Sequence, residues 1–510
     1  MTHPDRPNLL LITSDQQRGD CYGFAGRRVS TPHLDAFRRE GTWLKNAITP
    51  CVVCQPARAS ILTGQLPRTH GVHDNGIDLD PATGEKGFAG SLGRAGYDTA
   101  FIGKAHFASF FTFEPTGTPE CLVSSAKYGE DWHGPYMGFE HAELVLIGHN
   151  HFPPEAPPKG QHYERWFHAD GKGAEKIRLY AENARDTKGA AQTLHSRLPT
   201  AWHNSNWVAD RSIGWLEQRR DRPFAAWISF PDPHHPFDCP EPWSYLHRPE
   251  EVDLPEYRTR DFERRPWWHR AVLESRPTGS EAHAAIRSEY SRIQPQTDDQ
   301  LREIIANTYG MLSLIDHNVG RILNRLDELG IAESTIVIYT SDHGDWLGDH
   351  GLILKGPMHY EGLLRVGMIA RGPGIRENAT VEAPASTLDI ASTFADYAGV
   401  KPRLSQHGTS LRGMLEGTDG SRDFAYNEWD LHSNRTGVSL DLRTVRTESE
   451  KLTVDLHSGA GEMYDLENDP NEMENLYDDP AHKGLRETLT DMIDSRPDDA
   501  LGRQQPVGMA

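Results

Sequence analysis

Four short apolar runs stand out along the chain, and each stops at polar residues of the kind that bind or transform ligands. Asn8–Ser14 reads Asn-Leu-Leu-Leu-Ile-Thr-Ser and ends at Asp15-Gln16. Asp98–Gly103 is followed by Lys104 and His106, residues 224–230 run into Pro231-Asp-Pro-His-His-Pro236, and residues 335–340 run into Ser341-Asp342-His343-Gly344-Asp345. Nearly continuous apolar runs of this length predict strands buried on both faces. Helical periodicity separates them. Ala209, Ile213 and Leu216 precede the third run; Leu312, Ile315, Val319, Ile322, Leu326 and Leu329 precede the fourth, with Gly330 placed as a cap. A further helix is expected over 385–397. Strands alternating with helices predict an α/β fold with a large, mostly parallel central sheet covered on both faces. Ligands of such sheets bind beyond the carboxyl ends of the strands, so the four polar clusters are expected to converge on one site.

Two stretches break this rhythm. Residues 114–200 and 236–300 are rich in Pro, Gly and His with weak periodicity, and the second carries Trp267-Trp268-His269. Loops this long inside a compact protein either shape a site or are disordered, and site-shaping is the favoured expectation. From about residue 401 the pattern changes to short runs such as 451–456 and a last helix near 482–493. The expected organisation is therefore an α/β domain over 1–400, with loop-rich insertions near 114–200 and 236–300, and a smaller α+β subdomain over 401–510 that ends in a polar tail.

Residues 51–64, Cys-Val-Val-Cys-Gln-Pro-Ala-Arg-Ala-Ser-Ile-Leu-Thr-Gly, add chemistry to this frame. Pro56 favours a helix start, since its missing N–H costs nothing in the first turn. Cys54 is then a side chain at a helix N-terminus, where unpaired amides and the dipole attract anions, and Arg58 one turn on adds a fixed charge. A buried structural thiol and a Cys51/Cys54 redox or metal pair are the competing readings, although no second C-x-x-C exists to complete a zinc site.

The remaining composition narrows the function class. A formal charge of -21 argues against a nucleic-acid partner. Five cysteines, few and odd in number, suit a reducing compartment better than a disulfide framework. The polar N-terminus and the short first apolar run predict neither a signal peptide nor a membrane span, and the expected location is the cytoplasm.

Cys54-x-Pro56-x-Arg58 followed by Leu62-Thr63-Gly64 resembles the sulfatase motif C-x-P-x-R-x-x-x-L-T-G, and residues 462–470 with Asn475-Leu476 resemble the closing segment of that family. The resemblance implies an alkaline-phosphatase-like fold. It also implies that a formylglycine-generating enzyme converts Cys54 to formylglycine, whose hydrated form attacks the sulfur of a small-molecule sulfate ester and later re-forms the aldehyde as sulfate leaves. Carried residue by residue, it makes Asp15, Gln16, Asp342 and His343, together with Cys54 in its converted form, the ligands of one divalent metal ion. It gives Lys104 and His106 the sulfate oxygens, His234 the ester oxygen and leaving group, and Lys355 a substrate oxygen. Asn75 becomes a substrate-facing residue, Asp342 the acceptor of the nucleophile's proton and Arg58 a charge facing the anion, with His235 a bystander. Gln16 and His343 look like the metal positions of phosphonate monoester hydrolases and choline sulfatases, whereas Lys104 and His106 look like sulfatases proper. An imidazole among oxygen ligands leaves both calcium and manganese open. The leading expectation is hydrolysis of sulfate monoesters. Its rivals are a formylglycine-dependent hydrolase of phosphonate monoesters or phosphodiesters, and a silent metal- or anion-binding protein with an unmodified Cys54. A homo-oligomer is expected by analogy.

Overall fold

The four apolar runs are strands, and they lie side by side. In chain order the strands are β1 (Asn8–Ser14), β2 (Thr42–Leu44), β3 (Ala47–Ile48), β4 (Asp98–Gly103), β5 (His141–Leu144), β6 (Phe224–Ser229), β7 (Thr335–Ser341), β8 (Met368–Arg371), β9 (Ala379–Val381), β10 (Ala385–Ser386), β11 (Ala425–Leu431), β12 (Leu440–Arg446), β13 (Glu450–Asp455) and β14 (Gly461–Asp465). The structure, a computed structural model, describes residues 6–146, 160–218, 222–418 and 420–509, so residues 1–5 of the polar N-terminus, 147–159 of the first insertion and the last residue of the tail lie outside the described residues. Eight strands build one sheet in the order β5-β4-β6-β1-β7-β8-β2-β9. Every pair from β5 to β7 is parallel, and β8 alone runs against its neighbours β7 and β2.

Alternation along these strands divides the apolar residues between two cores, as a side-chain period of two requires. Leu10 and Ile12 join Ile228, Val337 and Tyr339 on one face, under the helices Asn204–Glu217 and Asp298–Glu328. Leu9 and Leu11 join Phe101, Trp227 and Ile338 on the other, under Cys54–Thr63, Phe88–Arg94 and Ile390–Ala398. Burial on both faces is why β1, β4, β6 and β7 read as unbroken apolar runs. The helix before β7 begins earlier than its apolar stripe: Thr297 and Gln300 form a capping box that starts it at Asp298, and Gly330 leaves it in the left-handed region at φ 66°.

Two expectations need correction. The helix expected over 385–397 begins at Ile390, because Ala385 and Ser386 pair with Ala47 and Ile48 as β10 and β3, and Ser386 with Asp389 forms a capping box over the intervening turn. The segments 114–200 and 236–300 are not simply loops. The first holds β5 and the helices His162–Ala169 and Gly173–Ala181, and the second holds Trp267–Glu274 and Glu281–Tyr290. Trp268 is buried in an apolar cluster with Trp429, Leu442 and Tyr464, so the second insertion is anchored to the C-terminal sheet. That sheet is an antiparallel meander, β11-β12-β13-β14, backed by the helix Lys483–Asp494. Among the described residues no helix is long and apolar enough to cross a membrane.

One buried side chain ties the strand ends together. Arg58, with no exposed surface, donates from Nε to Asp342 Oδ2 at 2.8 Å and from Nη2 to Asp15 Oδ2 at 3.2 Å, while Nη1 reaches Lys104 O at 2.6 Å and Ser229 Oγ at 2.8 Å. These four partners sit at the ends of β7, β1, β4 and β6, which are consecutive in the sheet. Arg58→Ala would leave two buried carboxylates short of their counter-charge, and a loss of about 3–5 kcal/mol is expected. Urea unfolding checks this; a loss below about 1 kcal/mol, the range of an exposed ion pair, would show that the hub does not hold the strand ends.

Candidate active site

Cys54 opens the helix Cys54–Thr63, directly after an extended Val53, so the helix starts two residues ahead of Pro56. Pro56 still falls among the first four positions, where no intrahelical N–H bond is lost. Of the amides in this first turn, that of Gln55 is taken by Asn75 Oδ1 at 3.1 Å. Cys54 is 1 % exposed, with Sγ 3.0 Å from Lys355 Nζ, 3.1 Å from His343 Nε2 and 3.7 Å from Asp15 Oδ1. Burial pushes the thiol pKa up, but Lys355, His343 and Lys104 outweigh it and bring the pKa well below the ordinary value. Cys51 is buried without such neighbours, its pKa is raised by that burial, and it forms no disulfide with Cys54. Cys54 is thus the distinctive member of the C-x-x-C.

The acidic and imidazole groups gather around the same sulfur. One ligand atom from each of Asp15, Cys54, Asp342 and His343 lies within 4.8 Å of the others, and all four residues are buried. His343 Nδ1 lies 2.8 Å from Gly344 O, so it carries the proton and Nε2 presents its lone pair to the cluster. Gln16 is held in the left-handed region at φ 69°; its Nε2 donates to Asp345 Oδ2 at 2.6 Å, which turns Oε1 inward. Burial and Cys54 raise the Asp15 carboxyl, but Lys104, His234 and Arg58 prevail and hold it below the usual carboxylate range. Lys355 Nζ lies 3.0 Å from Gln16 Oε1, 3.0 Å from Cys54 Sγ and 3.2 Å from His343 Nε2, so an ammonium stands where these donors converge. Two carboxylates, an amide oxygen and an imidazole directed at one point fit a divalent cation.

Above this floor opens a cavity of about 140 Å³ that Cys54, Asn75, Lys104, His106, His234 and Lys355 all line. Lys104 Nζ is 2.6 Å from Asp15 Oδ2. Both nitrogens of buried His106 lack a hydrogen-bond partner among the described residues. His234 Nδ1 lies 2.6 Å from His235 O and is therefore protonated, which leaves Nε2 for other contacts. Burial, Lys355 and Lys104 push His234 down to about 4. Arg58 is absent from the lining; saturated by protein partners, it lies beneath the site instead of facing an anion. His235, expected to be a bystander, lines the cavity and stacks on His234 at 4.2 Å.

Sequence reasoning missed several contributors. Gly103, at φ 117°, ends β4 where an added Cβ would meet Ser229 O at 1.9 Å, so only glycine lets β4 and β6 approach closely enough to deliver Lys104. His106 is itself left-handed at φ 51°, and Glu120 fixes that turn by accepting the amides of His106, Phe107 and Ala108 at 2.5, 3.0 and 3.1 Å. Glu120 lies in a segment with no readable pattern. Phe110, Phe111, Leu146, Arg287, Arg435 and Met509 are also in the lining, and they come from five separate segments that only folding assembles.

The similarities of the whole chain agree with this arrangement. The sulfatase family model matches residues 7–400, and the model for the C-terminal part of N-sulphoglucosamine sulphohydrolase matches 348–498. An arylsulfatase of Clostridium perfringens is 29 % identical over 519 residues, covering 96 % of this chain and 95 % of that protein. PehA of Trinickia caryophylli, a multifunctional alkaline phosphatase superfamily protein, is 28 % identical over 507 residues, covering 94 % and 93 %. The crystal structure of phosphonate monoester hydrolase from Agrobacterium radiobacter superposes with a TM-score of 0.76 at 27 % identity, covering 96 % and 95 %. With the family match running through every strand of the large sheet and every residue of the cluster around Cys54, this chain belongs to the sulfatase family.

Proposed function

We propose that this protein hydrolyses sulfate monoesters by S–O cleavage, using a formylglycine made from Cys54 and one divalent metal ion. The observation that carries the proposal is the meeting, around one cavity, of the depressed Cys54 thiol at a helix start with Lys104, His106, His234 and Lys355, directly over the Asp15, Gln16, Asp342 and His343 cluster. The thiol sulfur marks where the oxygen nucleophile would stand. Asp15, Asp342, Gln16 Oε1 and His343 Nε2 would hold the metal, either calcium or manganese. Bound there, it would supply a double positive charge that stabilises the ionised nucleophile and withdraws charge from the transferring group.

The chain's own residues then divide the work. Asp342 accepts the proton of the attacking hydroxyl, and Arg58 keeps that carboxylate aimed at the site. Lys104 and unpartnered His106 receive sulfate oxygens, and Lys355 clamps another oxygen as its charge develops. His234 holds its Nδ1 proton on His235 O, so Nε2 is the atom that protonates the leaving oxygen. Pushed down to about 4 in the free site, His234 starts as neutral imidazole. The arriving anion raises its proton affinity, so Nε2 takes up a proton from solvent as the substrate binds and passes that proton to the leaving oxygen. Gln16 and His343 favour a second reading, hydrolysis of phosphonate monoesters, which the likeness to the Agrobacterium radiobacter enzyme also supports. The Lys104 and His106 pair favours sulfate.

Three outcomes test this reading. Mass spectrometry of the alkylated tryptic peptide spanning residues 46–58, from the native host or one co-expressing the formylglycine-generating enzyme, should find one alkylated thiol at Cys51 and sulfur lost at position 54; two alkylated thiols would sink the formylglycine. Rates on phenyl sulfate and on phenyl phenylphosphonate, measured side by side, should favour the sulfate, and a large phosphonate preference would install the second reading. His234→Ala should slow alkyl sulfates about 10²–10⁴-fold, the span of general-acid catalysis, and nitrophenyl sulfate much less, because a good leaving group needs no proton. Equal losses on both would remove the general-acid role.

A further inference from the structure

The cavity over Cys54 is larger than the sulfate-handling floor, and its second half takes no part in the hydrolysis proposed above. Phe110, Phe111, Leu146 and Met509 give this half apolar walls, and two guanidinium groups, Arg287 and Arg435, also line it. Arg435 is 6 % exposed, lies over the Trp429 ring at 5.4 Å and pairs with Asp74 Oδ1 at 3.4 Å. That same carboxylate oxygen also accepts Asn75 N at 2.8 Å and Trp429 Nε1 at 3.2 Å. Arg287, on the helix Glu281–Tyr290, donates from Nη2 to the Met509 carbonyl, and among the described residues no carboxylate lies within ion-pair distance of it. Burial and the neighbouring Arg435 push Arg287 down to about 9, against which Asp74 is the one acidic influence.

Asp74 Oδ1 is thus taken by Arg435, Asn75 N and Trp429 Nε1, and Arg287 beside them has no carboxylate of its own among the described residues. A half-buried cation beside apolar walls with no carboxylate within ion-pair distance is costly, and the cost is relieved when an anion enters. We propose that Arg287 anchors a second anion subsite, so that the ester cleaved at Cys54 carries a second oxyanion, a carboxylate or another sulfate, on the far side of its leaving group. The inference rests on the sulfate-ester reading for the reacting end only. A ring or short hydrocarbon body between the two charges matches the Phe110, Phe111 and Leu146 walls. The planar fork of Arg287 suits bidentate pairing with either oxyanion, and its single carbonyl contact leaves donors for that purpose. The Met509 carbonyl holds one nitrogen of the fork, which makes Arg287 a preorganised contact and gives the C-terminal tail a part in the substrate wall.

The test compares kcat/KM for phenyl sulfate, 4-sulfooxybenzoate and benzene-1,4-diyl disulfate in the wild type, Arg287→Ala and Arg287→Lys, with melting temperatures to confirm folding. Leaving-group reactivity cancels when each doubly charged ester is expressed relative to phenyl sulfate and that ratio is compared between proteins. The ratio should fall about 10–100-fold in Arg287→Ala, as expected for a lost charge-assisted pair, and less in Arg287→Lys. A fall for the benzoate alone assigns a carboxylate subsite, for the disulfate alone a sulfate subsite, and for both a general oxyanion subsite. If Arg287 merely pinned the tail, all three esters would slow together and the ratio would stay constant, which overturns the proposal. Should no sulfate ester be turned over, the failure lies with the sulfatase reading, and titration with benzoate decides the subsite: binding to the wild type at least 10-fold tighter than to Arg287→Ala upholds it, and equal or undetectable binding overturns it.

Discussion

The architecture of this protein depends on one fully buried guanidinium. Arg58 is the common partner of groups at the ends of β4, β6, β1 and β7, four consecutive parallel strands of the large sheet. A buried charge of this kind is a poor source of stability by itself, since desolvation offsets most of its Coulombic gain. Its value is geometric. The rigid fork satisfies two carboxylates, a hydroxyl and a backbone carbonyl at once, so the loops beyond these strands cannot shift independently. The residue lies one turn beyond Cys54 on the same helix, which couples the position of Cys54 to the framework that holds Asp15 and Asp342.

Charge at the site is balanced locally, and this explains how a chain of net charge -21 prepares a place for an anion. Lys104, Lys355, Arg287 and Arg435 line the cavity, and the acidic residues Asp15 and Asp342 lie below it, engaged with Arg58. In a buried environment these fixed charges act over a few ångströms with little screening, so the field at the cavity is set by its lining and hardly at all by the surface. The same field depresses the Cys54 thiol and His234 together.

Leu146 of the first insertion, the helix bearing Arg287 in the second, Arg435 between β11 and β12, and Met509 of the tail contribute to the cavity's outer wall. Trp268 anchors the second insertion in the cluster formed with Trp429 and Tyr464, which brings the helix bearing Arg287 over the strand ends. The tail returns across the molecule: Val507 and Gly508 pair with Gly76, Met509 N donates to Phe111 O at 2.9 Å, and Met509 enters the lining. The floor around Cys54 and the outer wall of the cavity are therefore built by different parts of the chain.

The sequence by itself determined the elements that obey a strong local rule. β1, β4, β6 and β7 are buried on both faces, so their residues had to be nearly all apolar, and the polar residues after them, Asp15, Asp342 and His343 among them, marked the candidate site; Cys54 and Arg58 were legible instead from the helix start at Pro56 and the C-x-P-x-R motif. The short strands β2, β5 and β8 were not, because three or four residues carry no measurable period. Only the tertiary structure decided that Arg58 would turn beneath the floor, that His235 would join the cavity, and that Glu120 would hold the His106 turn. Only it brought Arg287, Arg435 and Met509 together. Each of these outcomes depends on contacts between segments far apart in the chain, where a side chain's role is fixed by what packs against it; local sequence cannot encode that partner.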